Sequence, residues 1–130
     1  MNQNGNNIEI TVHAPINNSE DPKKVTHAVK NIFPDCECMV KDNKIHFSSS
    51  NLAILKKLKE QVRSRSTLAV LKKMIYKNQY MNTTWFLLNK QAAFAGIAAI
   101  VEEEDETPLG PIKITIKNQE IEEINKWLES

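Results

Sequence analysis

Apolar and polar residues alternate along this chain with two different periods, and the switches between them mark out its elements. Ile8-Glu-Ile-Thr-Val12 has period two and reads as a strand with one buried face. Asp21 then precedes Pro22, an N-cap followed by a first-turn proline. Val25, Ala28, Val29, Ile32 and Phe33 continue at helical spacing until Pro34 stops the helix. Residues 36–40 and 44–48 are two short alternating runs joined by Asp42-Asn43, residues that tolerate the left-handed backbone of a tight hairpin. After the caps offered by Ser48-Ser-Ser-Asn51, Leu52, Leu55, Leu58 and Val62 return to helical spacing, with Ile54 on the flank. Arg63-Ser-Arg-Ser66 breaks that pattern. Ser66 or Thr67 can cap a second helix carrying Leu68, Val70, Leu71, Met74 and Ile75.

The remaining third is mostly strand. Residues 83–88 are β-branched and aromatic, and residues 97–101 predict a further strand. Between them residues 90–96 read as a short helical turn or kink ending at Gly96. Residues 102–106 form an acidic loop, Pro108-Leu-Gly-Pro111 a rigid turn, and Ile112, Ile114 and Ile116 a clean alternating strand. Asn118 is the expected cap of a closing helix that buries Ile121, Ile124, Trp127 and Leu128. Hairpins dominate this order, so the expected class is α+β: a mostly antiparallel, curved sheet with helices packed on one face.

At 130 residues the chain fits one domain, expected over residues 8–130 behind a frayed polar tail, residues 1–7. An apolar fraction of 41% suffices for a core and excludes wholesale disorder. No apolar run reaches the roughly 18 residues of a membrane helix, and the polar start lacks the features of a signal peptide. A cytoplasmic protein is expected. Its two cysteines, Cys36 and Cys38, are then free thiols, read as small hydrophobes on one face of a strand.

Charge changes the picture most. Residues 51–90 hold nine basic side chains against Glu60 alone, whereas residues 91–130 hold three basic and nine acidic ones. A formal net charge of +1 conceals this internal dipole. Lys56, Lys59 and Arg63, at spacing i, i+3, i+7, share one ridge of the first basic helix, with Lys57 nearby. Lys72, Lys73 and Lys77 surround Tyr76 on the polar side of the second, and Arg65 falls between the two helices. Cations around an exposed aromatic suit an unpaired nucleotide, which offers a phosphate and a π-face. A solvated helix face, or pairing with the chain's own acids, would give the same pattern.

Other chemistry is thin. His13, His27 and His46 are scattered, three glycines cannot build a phosphate loop or a dinucleotide fingerprint, and no serine sits in a nucleophile elbow. The acidic loop could hold a hard cation in a small hydrolase or nuclease, but a flexible run of acids reads first as solvated. Neither catalytic residues, a metal site nor a cofactor is expected.

Four segments, Ser19-Glu-Asp-Pro-Lys-Lys-Val25, Asn31-Ile-Phe-Pro-Asp35, Thr84-Trp-Phe-Leu-Leu-Asn-Lys-Gln-Ala-Ala-Phe-Ala-Gly96 and Pro108-Leu-Gly-Pro-Ile112, resemble a conserved archaeal family of unknown function. That family is described as RNA-binding or exosome-associated. The resemblance implies a fold like the ribosomal protein that binds 5S rRNA, with no catalytic residues to carry over. It adds Lys90 and Gln91 as candidate RNA contacts, against a structural reading in which Asn89 and Gln91 satisfy backbone groups at a kink. Trp85 is expected in the core, with a stacking surface as the alternative. The function expected is a non-enzymatic RNA-binding module using Lys56, Lys57, Lys59, Arg63, Arg65, Lys72, Lys73, Tyr76, Lys77, Lys90 and Gln91. The alternative is a protein–protein adaptor, or a self-associating homodimer, within an RNA-processing assembly.

Overall fold

The computed structural model describes residues 7–103 and 106–130. The expected tail, apart from Asn7, and two acids of the loop lie outside the described residues. Six strands, β1 (Glu9–Pro15), β2 (Met39–Lys41), β3 (Lys44–Ser49), β4 (Thr83–Leu88), β5 (Ile100–Val101) and β6 (Ile112–Lys117), form one curved antiparallel sheet in the order β2-β3-β1-β6-β4-β5. Among the described residues five α-helices accompany it: α1 (Pro22–Ile32), α2 (Lys56–Ser64), α3 (Leu68–Lys77), α4 (Lys90–Phe94) and α5 (Ile121–Glu129). The α+β class expected from the pattern is the one found.

Alternation decides which face each strand residue takes. Ile10, Val12 and Ala14 of β1, Ile45 and Phe47 of β3, Phe86 and Leu88 of β4, and Ile112, Ile114 and Ile116 of β6 all point to one layer. Val25, Ala28, Val29 and Ile32 of α1, Leu58 and Val62 of α2, Leu71, Met74 and Ile75 of α3, Ala93 of α4, and Ile124 and Leu128 of α5 complete the same core. Each buried Val, Leu, Ile, Met or Phe among them contributes roughly 1.5–3 kcal/mol by leaving water. The helices therefore cover one face of the sheet, and the intervening strand residues form the other.

Local signals account for several boundaries. The Asp21 side chain accepts from Lys23 N–H, and Pro22 opens α1. Asp42 and Asn43 both take positive φ, 53° and 60°, as a two-residue hairpin turn between β2 and β3 requires. Other boundaries differ from the pattern. A 3-10 turn (Leu52–Leu55) capped by Asn51 precedes α2, so the basic helix is shorter than its leucine spacing predicts. Asn118 is not the cap of α5. It takes φ 62° in the turn after β6, and Glu120 stands at the N-cap without a side-chain bond. Cys36 and Cys38 lie before β2, not within a strand. Their sulfurs are 2.8 Å apart as free thiols, and burial together with the hydrogen bond to Cys36 pushes Cys38 up to about 12. A thiol so shifted is no nucleophile.

Candidate functional site

The cations concentrated between positions 51 and 90 separate into three groups. In the first, the protein supplies the counter-group. Lys57 Nζ donates to Asn31 O of α1, Lys59 Nζ donates to Ser130 Oγ at 2.7 Å and lies 4.7 Å from the Trp127 ring centroid, and an Arg63 N–H donates to Ser130 O. Lys72 pairs with Glu129, and Lys73 with Glu102 at 3.3 Å. Lys59, Arg63 and Lys72 thus hold the end of α5 against α2 and α3. The second group, Lys56, Arg65 and Lys77, is exposed and has no ion pair or hydrogen bond from its side chain among the described residues. Tyr76 is exposed as expected, at 69%.

Lys90 is the third case and corrects the expectation that it reaches a phosphate. Only 1% exposed, its ammonium donates to Pro15 O (2.6 Å), Leu109 O (2.8 Å) and Glu20 Oε1 (2.9 Å). All three protons are thereby used. Glu20 Oε1 also accepts from Asn17 N–H and Asn17 Nδ2, each at 2.9 Å. Burial pushes the Glu20 carboxyl up, but the Asn17 and Lys90 hydrogen bonds outweigh it and hold the group below its ordinary range. Asn89 caps α4 by accepting from Ala92 N–H, and Gln91 is exposed. The adjoining cavity, lined by Asn89, Lys90, Gln91 and residues 107–110, measures about 10 Å³, room for a single water and no ligand.

The opposite face of the sheet gathers polar groups that are far apart in sequence. Residues directly opposite on neighbouring strands point to the same side. Across β3, β1 and β6 one row reads His46, His13, Lys113. A second row reads Ser48, Thr11, Thr115, Trp85, and a third pairs Lys41 with Lys44 beside Pro15. Lys117 stands opposite Glu9 and Thr83. Four lysines therefore share this face with one strand glutamate. None of the four makes an ion pair among the described residues. Trp85 departs from its expected core position: it is half-buried on this open face, with Lys113 Nζ 4.6 Å from its ring centroid. A shallow groove of about 250 Å³ runs between Thr11, His13, Lys41, Asp42, Lys44 and His46. Burial first, then the neighbouring Lys44, Lys113 and His46, lowers the His13 pKa.

Residues 9–118 match the RNA_binding family model, described as RNA binding. The chain belongs to the RNA_binding family. A UPF0201 protein of Sulfurisphaera tokodaii is 35% identical over 126 residues, covering 92% of this chain and 86% of the relative. Another, from Methanothermobacter thermautotrophicus, is 32% identical over 120 residues, covering 92% and 89%. The crystal structure of a UPF0201 protein from Methanococcus jannaschii matches with a TM-score of 0.77 at 31% identity, covering 92% of this chain and 91% of that one.

In this RNA_binding chain the four segments that carried the resemblance meet around Lys90. Glu20 and Leu109 take its protons, and Asn31 Nδ2 bonds Ala93 O (2.9 Å) and Phe94 O (3.2 Å) at the end of α4. Gly110, at φ 87°, lies so close to the Pro15 ring that a Cβ would collide with it. These segments fasten α1, α4 and the 107–111 turn to the end of β1. The open-face residues lie mostly outside them. The one sequence signal that could have found this face is the polar phase of three alternating strands, read together: Thr11 and His13, Lys44 and His46, Lys113 and Thr115. Among the described residues, no cluster of three or more His, Cys, Asp or Glu could hold a metal, and no helix is long and apolar enough to cross a membrane.

Proposed function

We propose that this protein is a cytoplasmic, non-catalytic RNA-binding module that takes RNA across the open face of its sheet. One observation carries the reading: four lysines from three strands, none of them in an ion pair among the described residues, stand on one uncovered surface beside Trp85 and a row of hydroxyls. Phosphates meet the ammonium groups, and an unstacked base has an aromatic ring to lie on. The family description supports the same partner class. Lys56, Arg65, Lys77 and Tyr76 are accessible for further backbone or stacking contacts at the helical layer.

The test is fluorescence anisotropy with a labelled mixed-sequence RNA at two salt concentrations. Binding in dilute buffer that weakens steeply with salt is expected. Absence of binding in dilute buffer removes the proposal.

A place in an RNA-processing assembly such as the exosome is a second, compatible reading. It draws on the edge strand β2, where Met39 and Val40 are both 59% exposed beside an unpaired backbone edge. Sedimentation with and without RNA tests it: a strict monomer that recruits no protein counts against an adaptor.

A further inference from the structure

We propose that His13 and His46, paired across β1 and β3 at the floor of the groove, form a phosphate site whose hold on the RNA backbone is set by protonation. The proposal rests on the open face being the RNA surface and adds a chemical mechanism to it.

The geometry is particular. Two imidazoles lie directly opposite one another, so their Cβ atoms are about 4.5–5.5 Å apart. Lys113 continues their row on β6, and Lys44 lies one pleat away on β3. Lys41 and Asp42 of the hairpin complete the charged groups around the groove, and Glu9 lies four residues away along β1 on the same face. The helices contribute nothing here, because they cover the other face. A phosphodiester in this groove would meet imidazole N–H donors from both sides and ammonium groups beyond them.

Without a ligand the same arrangement opposes protonation of His13. A further positive charge on a partly desolvated ring beside Lys44 and Lys113 is unfavourable, and His13 is shifted down accordingly, by burial first and by its cationic neighbours next. An anion in the groove reverses the sign of that local field. The His13 imidazole then takes up a proton as the phosphate binds, and linkage requires the affinity to rise as pH falls. Each unit by which binding raises a histidine pKa corresponds to as much as about tenfold in affinity at acid pH.

The experiment measures affinity of the full chain for a single-stranded RNA oligonucleotide at constant ionic strength, at about pH 7.5 and about pH 5.5. Wild type should tighten by about tenfold or more at the lower pH. The variant H13Q/H46Q should still bind at the higher pH and should show a flat profile. RNA binding by wild type with no pH dependence overturns the phosphate site while leaving the RNA-binding reading in place. So does a pH dependence that survives in the double variant. If RNA does not bind at all, NMR titration of the imidazole protons with inorganic pyrophosphate decides separately. A rise in the His13 midpoint supports the site, and an unmoved midpoint overturns it. Matching melting temperatures of wild type and variant at the higher pH exclude unfolding as the cause.

Discussion

The helical layer and the open sheet face both carry lysines, but they use them differently. On α2 and α3 the cations sit within reach of α1, α5 and the 102–103 loop, and five of them end on Asn31, Ser130, Glu129 or Glu102. On the sheet, apart from Glu9 opposite Lys117, the lysines of β2, β3 and β6 face lysine, proline, histidine, leucine or threonine across the strands, with the Trp85 ring beside Lys113. The first group holds the fold together at its surface. The second is electrostatically unfinished, and like charges opposite one another in a sheet cost a few tenths to about 1 kcal/mol per pair. A run of basic residues in sequence therefore does not by itself mark unanswered charge: five of its cations are taken up here and Lys56, Arg65 and Lys77 are not, while the cross-strand register gathers four further lysines from outside the run.

Lys90 is the extreme of internal use and offers the largest effect. Replacing it by Met leaves Glu20 buried without its cation and the Pro15 and Leu109 carbonyls without their donor. Breaking a buried pair from one side costs about 3–5 kcal/mol. Urea unfolding of K90M should register that loss, while RNA affinity of the folded protein stays within about twofold. Adding Glu20→Gln should recover part of it. The acid limb should change as well. The Glu20 carboxyl lies below its usual 4.5 in the fold, so its contribution is present above that pH and is lost as pH falls through the lowered value. K90M should weaken that acid sensitivity, leaving the part that the two Asn17 hydrogen bonds maintain.

The next effect is on binding. Lys44→Glu with Lys113→Glu reverses two charges on the open face and should weaken RNA binding about a hundredfold in dilute buffer. The salt dependence should also fall, by a slope of about 0.7 for each single-strand phosphate that is no longer neutralised. Anisotropy titrations at several salt concentrations read both. Retention of affinity would move the interface off the sheet.

Much of the fold was legible because it follows from local rules. Asp21-Pro22, Asp42-Asn43 and the isoleucines at 112, 114 and 116 act within a few residues of themselves, and each did in the structure what its type dictates. The departures involve partners distant in sequence. Lys90 reads as a surface cation until Glu20 and Leu109 are folded against it, 70 and 19 residues away. Trp85 reads as core until its phase in β4 places it beside Thr115. The row of His46, His13 and Lys113 exists only once β1 lies between β3 and β6. Helical periodicity exposes a charged ridge in one segment, but a sheet surface needs several segments and their register, which no single window contains.

A smaller, pH-linked effect should separate free from bound protein. His13 lies below its ordinary 6.5 in the fold, so the unfolded chain binds more protons just under that pH. Stability of the free protein should decline as pH falls through 6.5 towards the lowered value and level off beneath it. In H13Q that decline should flatten, as melting temperatures across the range would record. Saturating RNA should offset it in wild type, because the bound polyanion favours the protonated ring. A wild-type decline unaltered by H13Q would assign the loss to other groups.

The smallest expected effect tests the comparison from the other side. Lys72 and Glu129 form an ion pair whose side chains are 33% and 51% exposed, so solvent screens it heavily. Exposed pairs of this kind are worth about 0–1 kcal/mol. Lys72→Gln should lower stability within that range and change RNA affinity by less than about twofold, since its charge is already answered by Glu129. Lys113→Gln, equal in charge removed, should cost about tenfold, because nothing among the described residues answers Lys113 except the face of Trp85. The two substitutions delete the same group from the same type of side chain, and only the surroundings differ. If they weaken binding equally, the RNA responds to total charge, and the register of the sheet has no part in recognition.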